Sequence, residues 1–119
     1  MIYNHKRYQV RVIPDPENPI IIDLVGENFI DVLRAKDIGE GGLGVYVPYQ
    51  FDGCIINREI ELVVTLTGVW SFKARGNIRH KGETPGNYFG ISFTHIEEQD
   101  MEKVKEYIKV RADEGHVVK

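Results

Sequence analysis

Apolar residues recur along this chain in short runs separated by turn formers, and most of those runs suit a strand better than a helix. Ile20-Ile21-Ile22-Asp23-Leu24-Val25 reads as a strand, with Gly26-Glu27-Asn28 as the turn after it. Residues 29–37 alternate roughly between apolar and polar before a glycine-dense segment. Leu43-Gly44-Val45-Tyr46-Val47-Pro48 is a third strand, ended by proline. Residues 59–66 and 69–79 form a hairpin around Thr67-Gly68, and residues 87–93 give a last strand after the loop Lys81-Gly82-Glu83-Thr84-Pro85-Gly86. About six strands at such short intervals predict an antiparallel barrel or sandwich, an all-β-dominated fold.

A single helix follows. Thr94-His95-Ile96-Glu97 has the spacing of a capping box, in which a hydroxyl and a carboxylate satisfy each other's free amides. Beyond it Met101, Val104 and Ile108 share one face with Tyr107 beside them. Gln99 and Lys103, Glu102 and Lys105, and Glu106 and Lys109 sit at spacings that favour a wet side. Such a helix plugs an open barrel end or packs outside it. Before the strands, Pro14-Asp15-Pro16-Glu17-Asn18-Pro19 is a link that cannot enter a sheet interior. Residues 1–18 are therefore expected to be a flexible arm and link, residues 19–111 the barrel with its helix, and residues 112–119 a frayed tail.

With 119 residues the chain fits one domain able to bury a real core without staples. Its net charge of -3 argues against binding a nucleic-acid polymer, which needs a broad basic surface. His5, Lys6, Arg7 and Arg11 nevertheless cluster, which suits a small anion. The single Cys54 reads as a small buried hydrophobe, and no Cys-x-x-Cys pair offers zinc or redox chemistry. His5, His80, His95 and His116 lack ligand spacing, so no metal is expected. No nucleophile and base have a recognisable context, so the chain is not expected to be an enzyme or to carry a cofactor. No apolar run suits a signal peptide or a bilayer span, which predicts a cytoplasmic protein with no membrane insertion.

Two stretches carry the candidate chemistry. Arg7-Tyr8-Gln9-Val10-Arg11 sets two guanidinium forks four positions apart, and Asp37-Ile38-Gly39-Glu40-Gly41-Gly42-Leu43-Gly44 sets a carboxylate before a glycine-rich turn. Guanidinium forks match phosphate oxygens and guanine edges, a carboxylate accepts from guanine N–H groups, and glycines admit a flat ligand to the backbone. Together they suggest a phosphate-bearing guanine nucleotide. Gly39-x-Gly41-x-x-Gly44 also fits a dinucleotide fingerprint, but that needs a helix opening within it. Val45-Tyr46-Val47-Pro48 follows instead, and no Gly-Lys-Ser/Thr closes a P-loop. The glycines then shape a bend between strands.

The paired motifs resemble the PilZ domain, the bacterial receptor module for cyclic di-GMP (c-di-GMP), whose signature is Arg-x-x-x-Arg with Asp/Asn-x-Ser-x-x-Gly. Arg7 and Arg11 match its first part, and Asp37 and Gly42 match the ends of its second. Phe89-Gly90-Ile91-Ser92-Phe93, followed by Glu97-Glu98 and a helix, is similar to that family's last strand and closing helix. The resemblance implies a six-stranded antiparallel barrel with a C-terminal helix and c-di-GMP as ligand. It implies binding through Arg7, Arg11, Asp37, Gly39, Gly41 and Gly42, with the arm closing over the ligand. An unidentified downstream protein in motility or biofilm regulation would receive the signal. Gly39 stands where the family has serine, which removes a hydroxyl and weakens binding by up to about tenfold. The alternative is an interaction adaptor of the same fold that has lost nucleotide binding.

Overall fold

Strand alternation needs a shared interior, and the short apolar runs find it by curling into one sheet. A computed structural model describes residues 10–26, 30–46, 58–82 and 88–118. Its strands are Arg11–Val12 (β1), Ile20–Val25 (β2), Ile30–Gly39 (β3), Gly42–Tyr46 (β4), Glu59–Leu66 (β5), Trp70–Gly82 (β6) and Tyr88–Ile96 (β7), and Glu98–Asp113 is a helix (α1). Hydrogen-bonded neighbours run β3-β2-β5-β6-β7-β4, and β4 pairs back onto β3. Six antiparallel strands thus close into a barrel, the arrangement that removes exposed sheet edges. β1 is an extra strand on β3, with Arg11 opposite Gly39 and Val12 opposite Ile38.

Alternate residues fill the barrel. Ile20, Ile22 and Leu24 point inward from β2, and Ile60, Leu62, Val64 and Leu66 from β5. Ile22 faces Val64 across one ladder, and Val64 faces Phe72 across the next, so a continuous apolar layer crosses three strands. Val104 and Ile108 of α1 are buried on the same core, with Met101 and Tyr107 half-buried beside them, as the helical spacing predicts. The helix is also pinned by a polar contact: the Trp70 indole donates to Asp100 Oδ1 at 2.8 Å.

The capping box does not form. His95 and Ile96 still pair with Arg75 and Ala74, which holds Thr94 inside β7, where its hydroxyl donates to Glu59 Oε2 at 3.1 Å. Glu97 is the residue before the helix and makes no side-chain cap bond. Glu98 and Asp100 favour this end electrostatically instead, as anions in the first turn.

Both segments expected to be loose are tied to the barrel where they are described. Val12 is fully buried and bridges Val117, while Ile13 N donates to His116 O and Val118 N to Arg11 O, each at 2.8 Å. The buried Arg111 donates from Nε to Ile13 O at 2.9 Å. The proline-rich link folds into a turn, with Glu17 N donating to Asp15 Oδ1 and Asn18 N to Asp15 O. No helix among the described residues is long and apolar enough to cross a membrane.

Candidate functional site

The site grows out of one irregularity in β3. Ala35 faces Val45, but Asp37 faces Gly44, so β3 spends two residues where β4 spends one. The extra residue is Lys36, a bulge that re-aims the side chains around it. Asp37 thereby lies over Gly44, whose missing side chain makes the space: a Cβ there would stand 2.8 Å from Asp37 Oδ1. Asp37 is only 6% exposed.

Two cations hold this enclosed carboxylate. Arg11, brought alongside by β1, donates from Nε to Oδ1 at 2.9 Å and from Nη2 to the same oxygen. Lys36 Nζ lies 3.3 Å from Oδ2. The same ammonium sits 4.8 Å from the centroid of the Tyr88 ring. The cluster carries one negative and two positive charges, so a net positive charge stands on the outer wall of a protein whose total is -3. That local excess favours an anionic ligand.

Of the anticipated residues, Arg11 and Asp37 meet directly, and Arg7 lies outside the described residues. Gly39 ends β3 opposite Arg11, and its absent Cβ would stand 3.1 Å from Val10 O and 3.2 Å from Arg11 Cγ. Glu40-Gly41 is the turn into β4, as the reading of a bend between strands anticipates, and a strand rather than a helix follows it. Gly41 O accepts from Phe93 N at 2.8 Å. Gly42 stands where β4 meets β7, and a Cβ on it would fall 1.8 Å from Ile91 O. Gly41 and Gly42 thus have work in joining β4 to β7 that needs no ligand.

Lys36, Gly44 and Tyr88 are the cluster members that the motif reading leaves out. Strict alternation would send Lys36 to the opposite face from Asp37, and only the bulge, which has no sequence signal here, overrides it. Arg75 is engaged elsewhere, 3.4 Å from Glu61 and 3.9 Å from Glu59. Arg79 is exposed on β6, and the His80 side chain and Cys54 lie outside the description. Among the described residues no three His, Cys, Asp or Glu side chains group as metal ligands.

No family model matches the chain. It is 32% identical over 120 residues to an uncharacterized protein of Aquifex aeolicus (strain VF5), an alignment covering 92% of this chain and 52% of that protein. The chain therefore spans about half the length of the curated relative it matches. Among solved structures it is similar to the PilZ domain with c-di-GMP of YcgR from Escherichia coli, with TM-score 0.75, 12% identity, and coverage of 92% of this chain and 93% of that one. The inhibitor of motility MotI/DgrA of Bacillus subtilis matches with TM-score 0.76, 15% identity, and coverage of 97% and 55%. The MrkH–c-di-GMP complex of Klebsiella pneumoniae matches with TM-score 0.75, 13% identity, and coverage of 93% and 54%. The fold is of the PilZ type.

Proposed function

We propose that this chain is a c-di-GMP receptor module of the PilZ kind, and that it passes ligand occupancy to a protein partner through its N-terminal arm. One observation carries the reading: Arg11 and Asp37, the two described charged residues of the paired motifs, converge on the outer wall beside the glycine turn. The fold supports it, because solved proteins that share the fold include complexes with c-di-GMP.

The chemistry follows from what each group can exchange. Arg11 places two of its donors on Asp37 Oδ1. A guanine presenting N1–H and N2–H gives Asp37 replacement donors, and a phosphate gives Arg11 a replacement anion. Neither charge is left unpaired, so the exchange avoids the penalty of a stripped, buried carboxylate. Arg7 adds a second fork to the phosphates, and the turn at Gly39, Gly41 and Gly42 gives the ligand close access to backbone.

Relay is proposed through β1. The strand that carries Arg11 is bonded to His116 and Val118, and Arg111 of α1 holds Ile13. A ligand that moves Arg11 therefore loads these bonds and alters the surface beside the helix end. Binding without turnover is expected in the cytoplasm, with the nucleotide recovered intact.

Titration calorimetry with c-di-GMP tests the proposal, and saturable binding is the expected result. A flat titration at high ligand would leave the adaptor reading, in which Gly39 marks a lost site.

A further inference from the structure

Asp37 offers two oxygens, and the paired motifs account for only one of them. Oδ1 belongs to Arg11, while Oδ2 is met by Lys36, a residue outside both motifs. Resting on the nucleotide reading above, we propose that Lys36 is a third cationic contact for the ligand, seated by Tyr88 and made available by the β3 bulge.

Exposure orders the cluster. The Asp37 side chain is 9% exposed, against 28% for Lys36 and 35% for Arg11. A ligand arriving from solvent meets the two cations first and the carboxylate last. Lys36 is also the less committed cation. Its contact with Asp37 is a single long one of 3.3 Å, and an ammonium has three donors to place. The Tyr88 ring holds the charge over its face without consuming a donor.

Sharing also makes exchange cheap. If a phosphate draws Arg11 away, Lys36 still neutralises Asp37, and if it draws Lys36 away, Arg11 remains. A lone Arg11–Asp37 pair would have to strip the carboxylate before ligand donors arrived.

The surroundings of Lys36 add an aromatic anchor. Asp37, Gly44 and Gly90 lie in one row across β3, β4 and β7, and Tyr46 faces Tyr88 two residues further along the same face. Asp37 covers Gly44, and both glycines of the row are buried. Lys36 spans from this row to the tyrosine pair, touching Asp37 and the Tyr88 ring.

The test is c-di-GMP titration of the parent, Lys36→Gln and Lys36→Arg over a series of salt concentrations, with melting temperatures for all three. The expected result is about tenfold weaker binding by Lys36→Gln, with a shallower salt dependence and near-parental melting. Lys36→Arg should recover most of the affinity and the slope. Two results overturn the assignment: parental affinity and slope in Lys36→Gln, or weakened binding with an unchanged slope and a lowered melting temperature, which is how a mere support for Asp37 behaves. A parent that binds no c-di-GMP removes the underlying nucleotide reading itself, and is distinguishable because all three proteins then give flat titrations.

Discussion

Arg11 and Asp37, 26 positions apart in sequence, share two N–H···O contacts at a single carboxylate oxygen. Arg11→Ala removes both and leaves Lys36 as the partner of an enclosed charge. Because Arg11 is itself about one-third exposed, solvent screening holds the stability cost to about 1 kcal/mol. Its effect on ligand is larger, since a charge-assisted contact is worth about 1.5–3 kcal/mol, or roughly tenfold or more in affinity. Calorimetry and a thermal melt on the same sample separate the two. Parental affinity in Arg11→Ala would falsify the ligand role of this arginine.

Gly42 should tolerate no side chain. A Cβ 1.8 Å from a main-chain oxygen cannot be relieved by a rotamer change, so Gly42→Ala must part β4 from β7. The expected loss is about 3 kcal/mol or more, the upper range for overpacking. Urea denaturation measures it, and an unchanged midpoint would contradict the seam described above.

Gly39→Ser restores the hydroxyl of the resembled motif, but the new Cβ presses on Val10 O at 3.1 Å and Arg11 Cγ at 3.2 Å. β1 must yield by a few tenths of an ångström. We expect a modest fall in melting temperature together with tighter c-di-GMP binding, by up to about tenfold. Weaker binding with a lower melting temperature would mean that the crowding of Arg11 outweighs the hydroxyl.

Trp70 and Asp100 fasten the helix to the barrel. Trp70→Phe keeps most of the apolar contact but leaves the Asp100 carboxylate, 7% exposed, without its indole donor. A cost of about 1–3 kcal/mol is expected, the penalty for stranding a buried acceptor. In the double variant with Asp100→Ala the two losses should be less than additive, which chemical denaturation can read.

Tyr107 gives a dependence on alkaline pH. Its hydroxyl oxygen is enclosed and has no hydrogen-bond partner of good geometry among the described residues. Burial pushes the phenol above its ordinary value, with the Asp15 main chain and the Arg111 charge acting in the opposite direction. The folded state thus holds this proton more tightly than the unfolded chain. The resulting stability is complete below the ordinary phenol value of about 10 and is lost as pH rises through the folded value. Tyr107→Phe should be at least as stable as the parent at neutral pH and should lose less stability on going alkaline. Equal alkaline losses in the two proteins would rule the assignment out.

The barrel was legible because its main signals are local. β2 and β5 announce themselves by alternation, and Thr67-Gly68 sits in the turn between β5 and β6. The Arg-x-x-x-Arg and Asp-x-x-x-x-Gly spacings drew attention to Arg11 and Asp37, which the fold joins. What escaped depends on distant partners. β1 is a strand because Gly39, Ile38 and Val117 offer it main-chain bonds, and nothing in Arg11-Val12 itself says so. Thr94-x-x-Glu97 has the letters of a capping box, but pairing with β6 keeps that stretch extended. Lys36 was hidden by the same alternation that revealed the strands, since a bulge shifts the period without marking the sequence.

The bridge between Val12 and Val117 also sets two distant parts of the sequence side by side. Residues 10 and 118 lie at one corner of the barrel, on and beside the strand that bears Arg11. For a fluorescent reporter this geometry sets the direction of the usable signal. A donor and acceptor dye attached to side chains at those two positions begin close together, with transfer near its ceiling. Ligand-driven loosening of the corner would then be read as a drop in transfer, and a further approach would be invisible.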